Sequence, residues 1–149
     1  LEGPVTIRPF APDDAEAILL IQSRCPEAAQ WSRADYASVA GEGVRGWVGQ
    51  QGPAILGFLV ARAAADELEI LNLGVLPQAR RRGVGHVLLK TALQWGRASG
   101  AARAFLEVRE SNAPARLFYE AQGFVVAGRR SVYYGQPPEA ALVLSLSLA

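Results

Sequence analysis

The sequence predicts an α/β (α+β) protein built on one mixed, mostly antiparallel sheet with about four flanking helices. Three observations carry that prediction. Between residues 44 and 75, three strand-like runs follow one another across short turns, the pattern of an antiparallel meander. After Pro77 the apolar period changes from two to about 3.6, and a strand-then-helix order occurs there and again over 104–123. The 149 residues are 50% hydrophobic and 19% charged, with a mean hydropathy of +0.12, enough for one sizeable core and too few for two. A single domain over residues 1–149 is therefore expected.

The elements follow in order. Val5-Thr6-Ile7 alternates as a first strand, and Pro12-Asp13-Asp14 reads as a helix start before the apolar run 18–21. Ser32 and Asp35 have capping-box spacing, which predicts a second short helix over about 33–40, ended by Gly41 and Gly43. Strands over 44–50 and 55–63 flank Gln51-Gly52-Pro53, a hairpin turn, and a third strand over 68–75 follows Asp66-Glu67. Val84, Val87, Leu88, Thr91, Ala92 and Trp95 then fall on one helix face, and Gly100 stops that helix. A strand over 104–108 leads to Asn112-Ala113-Pro114, an N-cap with proline in the first turn, and the new helix ends at Gly123. Strands over 124–127 and 142–148 close the chain, joined by a segment that contains Tyr133-Tyr134-Gly135 and Pro137-Pro138.

Composition excludes several classes. Fifteen basic residues against fourteen acidic give a net charge of +1, too small for a protein that draws its affinity from neutralising many phosphates, so no nucleic acid partner is expected. Cys25 is the only cysteine and His86 the only histidine, which leaves neither a disulfide framework nor zinc spacing, and no metal is expected. No segment has the length of a membrane span and the amino end has no secretory pattern, so a cytoplasmic protein with no membrane partner is expected.

The chemistry starts at Arg80-Arg81-Arg82-Gly83-Val84-Gly85, between a predicted strand and a predicted helix. Backbone N–H groups of a loop and first helical turn converge there without intrahelical partners, and the helix dipole adds positive potential. Two glycines keep side chains out of the way, so a pyrophosphate fits. The plain alternative is an ordinary turn followed by a solvated arginine run. The dinucleotide fingerprint fails because residue 88 is Leu, and the P-loop pattern lacks Gly-Lys-Ser/Thr.

This segment resembles the Q/R-x-x-G-x-G/A coenzyme A signature of the Gcn5-related N-acetyltransferase (GNAT) family, and the predicted element order matches that fold over nearly the whole chain. Residues 106–112, Leu-Glu-Val-Arg-Glu-Ser-Asn, are similar to the L-E-V-R-x-S-N segment of RimI-type N-terminal acetyltransferases. Leu117-Phe118-Tyr119 with Gly123-Phe124, and Arg130 with Tyr133-Tyr134, extend the likeness. The resemblance implies a GNAT-like twisted sheet with a central splayed parallel strand pair. It implies acetyl-CoA as cosubstrate, held by Leu73, Gly74 and Val75 along the splayed strand, by Arg80, Arg81, Arg82, Gly83, Val84 and Gly85, and by Asn112. It implies Glu107 and Tyr119 as catalytic, with Glu69, Tyr133 and Tyr134 on the acceptor side. The implied acceptor is a protein or peptide N-terminus such as the N-terminal Ala of ribosomal protein S18.

The two catalytic candidates also have readings of their own. Glu107 is an acid between Leu106 and Val108 and can serve as a base, or it leans into water or pairs with Arg109. Tyr119, about two helical turns after Asn112, can protonate a leaving thiolate, or it is a core aromatic. Cys25 reads as packing. Two other functions stay open at this point: acetylation of a small amine (an amino acid, polyamine or drug), and acyl-CoA binding without chemistry.

Overall fold

The computed structural model describes residues 3–39, 41, 43–134 and 139–149, with 132–134 described by their backbone alone. A short strand β1 (Thr6–Pro9) leads through a turn of 3₁₀ helix to α1 (Ala15–Ser23) and α2 (Arg33–Ala37). The meander β2 (Val44–Gln51), β3 (Ala54–Ala64) and β4 (Glu67–Val75) follows, then α3 (Val84–Ala98), β5 (Arg103–Arg109), α4 (Ala113–Ala121) and the pair β6 (Val125–Tyr134) and β7 (Glu139–Ser147). All strands join one sheet in the order β1-β2-β3-β4-β5-β7-β6, antiparallel except between β4 and β5.

Each face of the sheet has its own core. One face packs Trp47, Leu56, Leu59 and Leu106 against Leu88, Leu89 and Ala92 of α3 and Tyr119 of α4. The other packs Val48, Phe58 and Val60 against Ile18 and Ile21 of α1 and Tyr36 of α2. The sheet is thus covered on both sides, which lets its central strands read as nearly continuous apolar runs.

Several boundaries differ from those expected. The closing strands are longer, because β6 continues to Tyr134 and β7 begins at Glu139, and pairing across the hairpin outweighs the polar composition of 128–131. The second helix stops at Ala37, with Ser32 and Asp35 forming the expected capping box. The buried stripe of α3 is rotated from the predicted one: Val84, Leu88, Leu89, Ala92, Leu93 and Gly96 face inward, and Val87 is exposed. Gly96 accounts for the rotation, since a Cβ there would stand 2.7 Å from Leu68 Cδ2, and its absence lets α3 settle on β4 along that side.

The parallel pair sets up the site. β4 and β5 are in register only over Glu67↔Arg103, Leu68↔Ala104 and Glu69↔Phe105. Val60 faces Asn72 while Ala61 faces Ile70, so Leu71 is the extra residue of a β-bulge just after the last parallel pair. A bulge bends its strand and raises local twist. Beyond it the two strands diverge and leave a gap between 71–75 and 107–109.

Candidate active site

A cavity of about 910 Å³ fills that gap and extends to the start of α3. Leu73, Gly74, Val75, Arg80, Arg81, Gly83, Val84, Gly85, Asn112, Glu69, Glu107 and Tyr119, all singled out in the sequence, line it. Arg82 does not: its guanidinium turns away and donates to Gln51 Oε1 at 2.8 Å. Tyr133 and Tyr134 end β6, but their side chains lie outside the described residues, as does the turn over 135–138.

One end of the cavity is built from backbone. Arg81 and Gly83 both lie in the left-handed region, at φ +68° and +80°. Among the described residues, the N–H groups of 81–86 have no hydrogen-bond acceptor. Alternation of handedness turns successive N–H groups toward one side, which makes an anion-binding nest at a helix N-terminus. A Cβ built on Gly83 meets nothing within 4 Å, so the space above the loop is open. These residues fit the pyrophosphate of a coenzyme A thioester. Arg80 is committed elsewhere: it pairs with Glu27 at 2.5 Å and its Nε donates to Val75 O at 3.3 Å. Cys25 is buried beside it, with Sγ 3.3 Å from Val75 O, so this residue packs against the cavity wall although it is distant in sequence.

The middle is a strand edge. Leu76 N–H bonds to Leu56 O on β3, so by alternation Leu73 and Val75 present their backbone groups to the gap. Leu73 N–H is already taken by Asn72 Oδ1 at 3.0 Å. Gly74 points the other way: a Cβ there would stand 2.7 Å from Phe58 Cε1, which explains a glycine at this point of the strand.

The far end is built from side chains. Glu107 lines the cavity from β5, about one-fifth exposed, and pairs with Arg130 of β6 at 2.5 Å, not with Arg109, the partner its plain structural reading offered. Arg109 reaches Glu139 instead, at 3.5 Å. Glu69 lines the cavity from β4 and pairs with Arg62. Asn112 caps α4 by accepting Ala115 N–H at 3.2 Å, and Gly123 at φ +98° ends it. Tyr119, in the second turn of α4, is packed edge-on against Phe118 and Phe124 at 5.1 and 5.4 Å. Burial pushes its phenol above the usual tyrosine range, so it carries its proton at neutral pH. Among the described residues its hydroxyl has no hydrogen-bond partner.

The β6–β7 hairpin is tied to the loop before α4. Arg129 clamps Glu110 at 2.7 and 3.2 Å, and Glu139 accepts Ser111 N–H at 2.6 Å. These contacts hold both carboxyls below their ordinary range, Glu110 chiefly through Arg129 and Glu139 chiefly through Ser111.

Sequence reasoning missed Arg130 as the partner of Glu107, and it missed a buried polar trio, Gln22, Tyr36 and Asn72. A signal existed for the last of these: Asn72 occupies an inward position of an alternating strand. Among the described residues, no group of three or more His, Cys, Asp or Glu side chains is gathered as a metal site, and no helix is long and apolar enough to cross a membrane.

The fold and cavity are those of an acyltransferase. The acetyltransferase (GNAT) family profile matches residues 14–124. A [ribosomal protein bS18]-alanine N-acetyltransferase of Escherichia coli is 32% identical over 146 residues, covering 97% of this chain and 98% of the relative. The crystal structure of the ribosomal-protein-S18-alanine N-acetyltransferase from Escherichia coli matches with a TM-score of 0.86 at 31% identity, over 98% of this chain and 95% of that one. Ard1 from Thermoplasma volcanium matches with a TM-score of 0.86 at 28% identity, over 97% and 98%. The chain belongs to the GNAT family and is an N-acetyltransferase.

Proposed function

We propose that residues 1–149 act as one domain that transfers an acetyl group from acetyl-CoA to the α-amine of a protein N-terminus, with the N-terminal Ala of ribosomal protein S18 as acceptor. A ribosomal acceptor puts the enzyme in the cytoplasm. The observation that carries the proposal is that Glu107 and Tyr119 line the same cavity as Arg81, Gly83, Val84, Gly85 and His86, whose N–H groups have no acceptor among the described residues. The full-length likeness to bS18-alanine N-acetyltransferases supports the choice of acceptor.

Acetyl-CoA, when bound, supplies an activated acetyl thioester. The N–H groups of 81–86 would hold its pyrophosphate with Gly83, Val84 and Gly85 at closest approach, and the edge of β4 at Leu73 and Val75 would hold the pantetheine arm as an added strand. Arg81 adds charge at the mouth. Arg80 acts through its pair with Glu27, and Arg82 acts only as part of the positive surface.

Glu107 takes the proton of the acceptor amine, directly or through water. An α-amine has a pKa of about 8, so a carboxylate is a sufficient base, whereas lysine at about 10.4 is a harder substrate. Glu69, on the neighbouring strand, faces the incoming ammonium, and Tyr133 and Tyr134 hold the peptide. Val75 N–H meets the negative charge that develops on the carbonyl oxygen. Tyr119 gives its phenolic proton to the departing sulfur, for which a hydroxyl with no hydrogen-bond partner among the described residues is well suited. No covalent enzyme intermediate is needed.

Incubation with acetyl-CoA and a peptide bearing a free N-terminal Ala, read by mass spectrometry, should add one acetyl group at the α-amine, and pre-blocking that amine should stop it. Labelling of internal lysines, or of spermidine in place of the peptide, overturns the proposed acceptor.

A further inference from the structure

Three buried polar side chains beside the cavity have no part in the chemistry described above. Gln22 of α1, Tyr36 of α2 and Asn72 of β4 are 6%, 0% and 5% exposed. The Tyr36 hydroxyl donates to Gln22 Oε1 and accepts from Asn72 Nδ2 at 3.1 Å. Each carboxamide then grips one residue of the loop between α1 and α2 by both backbone groups. Gln22 Nε2 donates to Trp31 O at 2.8 Å, and Trp31 N–H donates to Gln22 Oε1 at 3.0 Å. Asn72 Nδ2 donates to Ala29 O at 3.0 Å, and Ala29 N–H donates to Asn72 Oδ1 at 3.1 Å. Side-chain amides thus do for this loop what a neighbouring strand would do.

Apolar residues would fill this space at lower cost, because a buried amide is tolerated only when its donors and acceptors are matched. The matching here is spent on one segment. Residues 26–30 of that loop line the cavity across from Leu71 and Leu73. Asn72 follows the bulge residue Leu71, where β4 leaves β5, and its Oδ1 also receives Leu73 N–H at 3.0 Å. One side chain therefore touches both the loop wall and the strand edge that bound the cavity.

We propose that Asn72 is a positioning residue for the acceptor. It sets the distance of the 26–30 wall from β4, and Gln22 and Tyr36 hold its amide in the orientation that grips Ala29. The proposal rests on reading the cavity as an acetyl-transfer site. Acetyl-CoA affinity derives chiefly from the 81–86 N–H groups, which this network does not contact, and the network meets the coenzyme side only at Leu73 N–H, so loss of Asn72 acts more on acceptor binding than on that affinity.

Steady-state kinetics with the Ala-initiated peptide, together with calorimetric binding of acetyl-CoA, tests this. In Asn72→Ala the peptide KM should rise by about tenfold, the scale of one or two buried hydrogen bonds, with a smaller change, below about threefold, in acetyl-CoA affinity through Leu73. Tyr36→Phe keeps the ring in its packing and removes one hydroxyl, so it should move KM the same way by less, and it guards against misfolding of the first variant. An unchanged peptide KM in a folded variant, or a parallel loss of acetyl-CoA affinity, overturns the proposal. If wild type acetylates a different amine, the proposed acceptor fails and the same KM split is read with that amine. If it acetylates none, the catalytic reading fails, and Asn72's hold on the wall is read by exchange of the Ala29 amide proton, protected in wild type and at least about tenfold faster in Asn72→Ala.

Discussion

The two ends of the cavity are made differently. The anion end is a run of adjacent backbone N–H groups at 81–86, supported by one left-handed glycine, and its arginine side chains point largely elsewhere. The end proposed for the acceptor is assembled from side chains on β4, β5, α4 and β6 and from the loop after α1, and its two carboxylates, Glu69 and Glu107, are each held by an arginine on another strand. A backbone site is sensitive to whatever changes φ or blocks space and indifferent to most side chains. A side-chain site is sensitive to single atoms.

The largest effect that distinguishes the two belongs to Gly83→Asp. The change places a carboxylate in the open space over the nest and strains a position at φ +80°, although Asp tolerates left-handed backbone better than most residues. Acetyl-CoA binding should fall below detection in calorimetry with the fold retained, and unchanged affinity in a folded variant refutes the phosphate assignment. Next in size is Tyr119→Phe, which removes one oxygen at the other end. Turnover should fall by about 10²-fold or more while acetyl-CoA binding and thermal melting are kept. Near-wild-type turnover at every pH returns Tyr119 to the core and leaves solvent as the proton source. Glu107→Gln should lose most rate at low pH, where the acceptor amine is protonated, and regain part of it as pH rises.

The strand edge between the ends offers a smaller effect. Gly74→Ala would press a methyl group to 2.7 Å from the Phe58 ring and should lower stability by about 1–3 kcal/mol, the range for overpacking, measured by denaturant unfolding.

Acid should also separate the ends. Glu110 and Glu139 have folded-state values below the ordinary carboxylate range, so the hairpin contacts they make are fully present above about pH 4.3 and are lost as pH falls through the lowered values. The Ser111 amide proton should exchange faster, relative to its intrinsic rate, once Glu139 is protonated. The N–H groups of 81–86 do not titrate. The smallest effect is Arg82→Ala, which should weaken acetyl-CoA binding by less than about threefold, because that side chain bonds to Gln51 and not to the cavity.

The same difference explains how far the sequence could be read. Element order, the capping box at Ser32, the N-cap at Asn112 and the turn of unpaired N–H groups that follows Arg80 were all legible, because each is written in neighbouring residues and decided by local hydrogen bonding. The roles proposed for Glu107 and Tyr119 rest on family likeness, since their own neighbours permit a plain structural reading as well. Arg130 was not legible as the partner of Glu107. The nearer Arg109 competes in sequence, and only the register of β6 and β5 against β7 decides between them.

The sequence by itself thus determined the succession of strands and helices and the turn of unpaired N–H groups before α3. The bulge at Leu71, the parting of β4 from β5, the rotation of α3 and the grip of Asn72 on Ala29 were decided only by the tertiary structure. Each depends on pairing or close approach between segments tens of residues apart, and such contacts exist only once the sheet has formed.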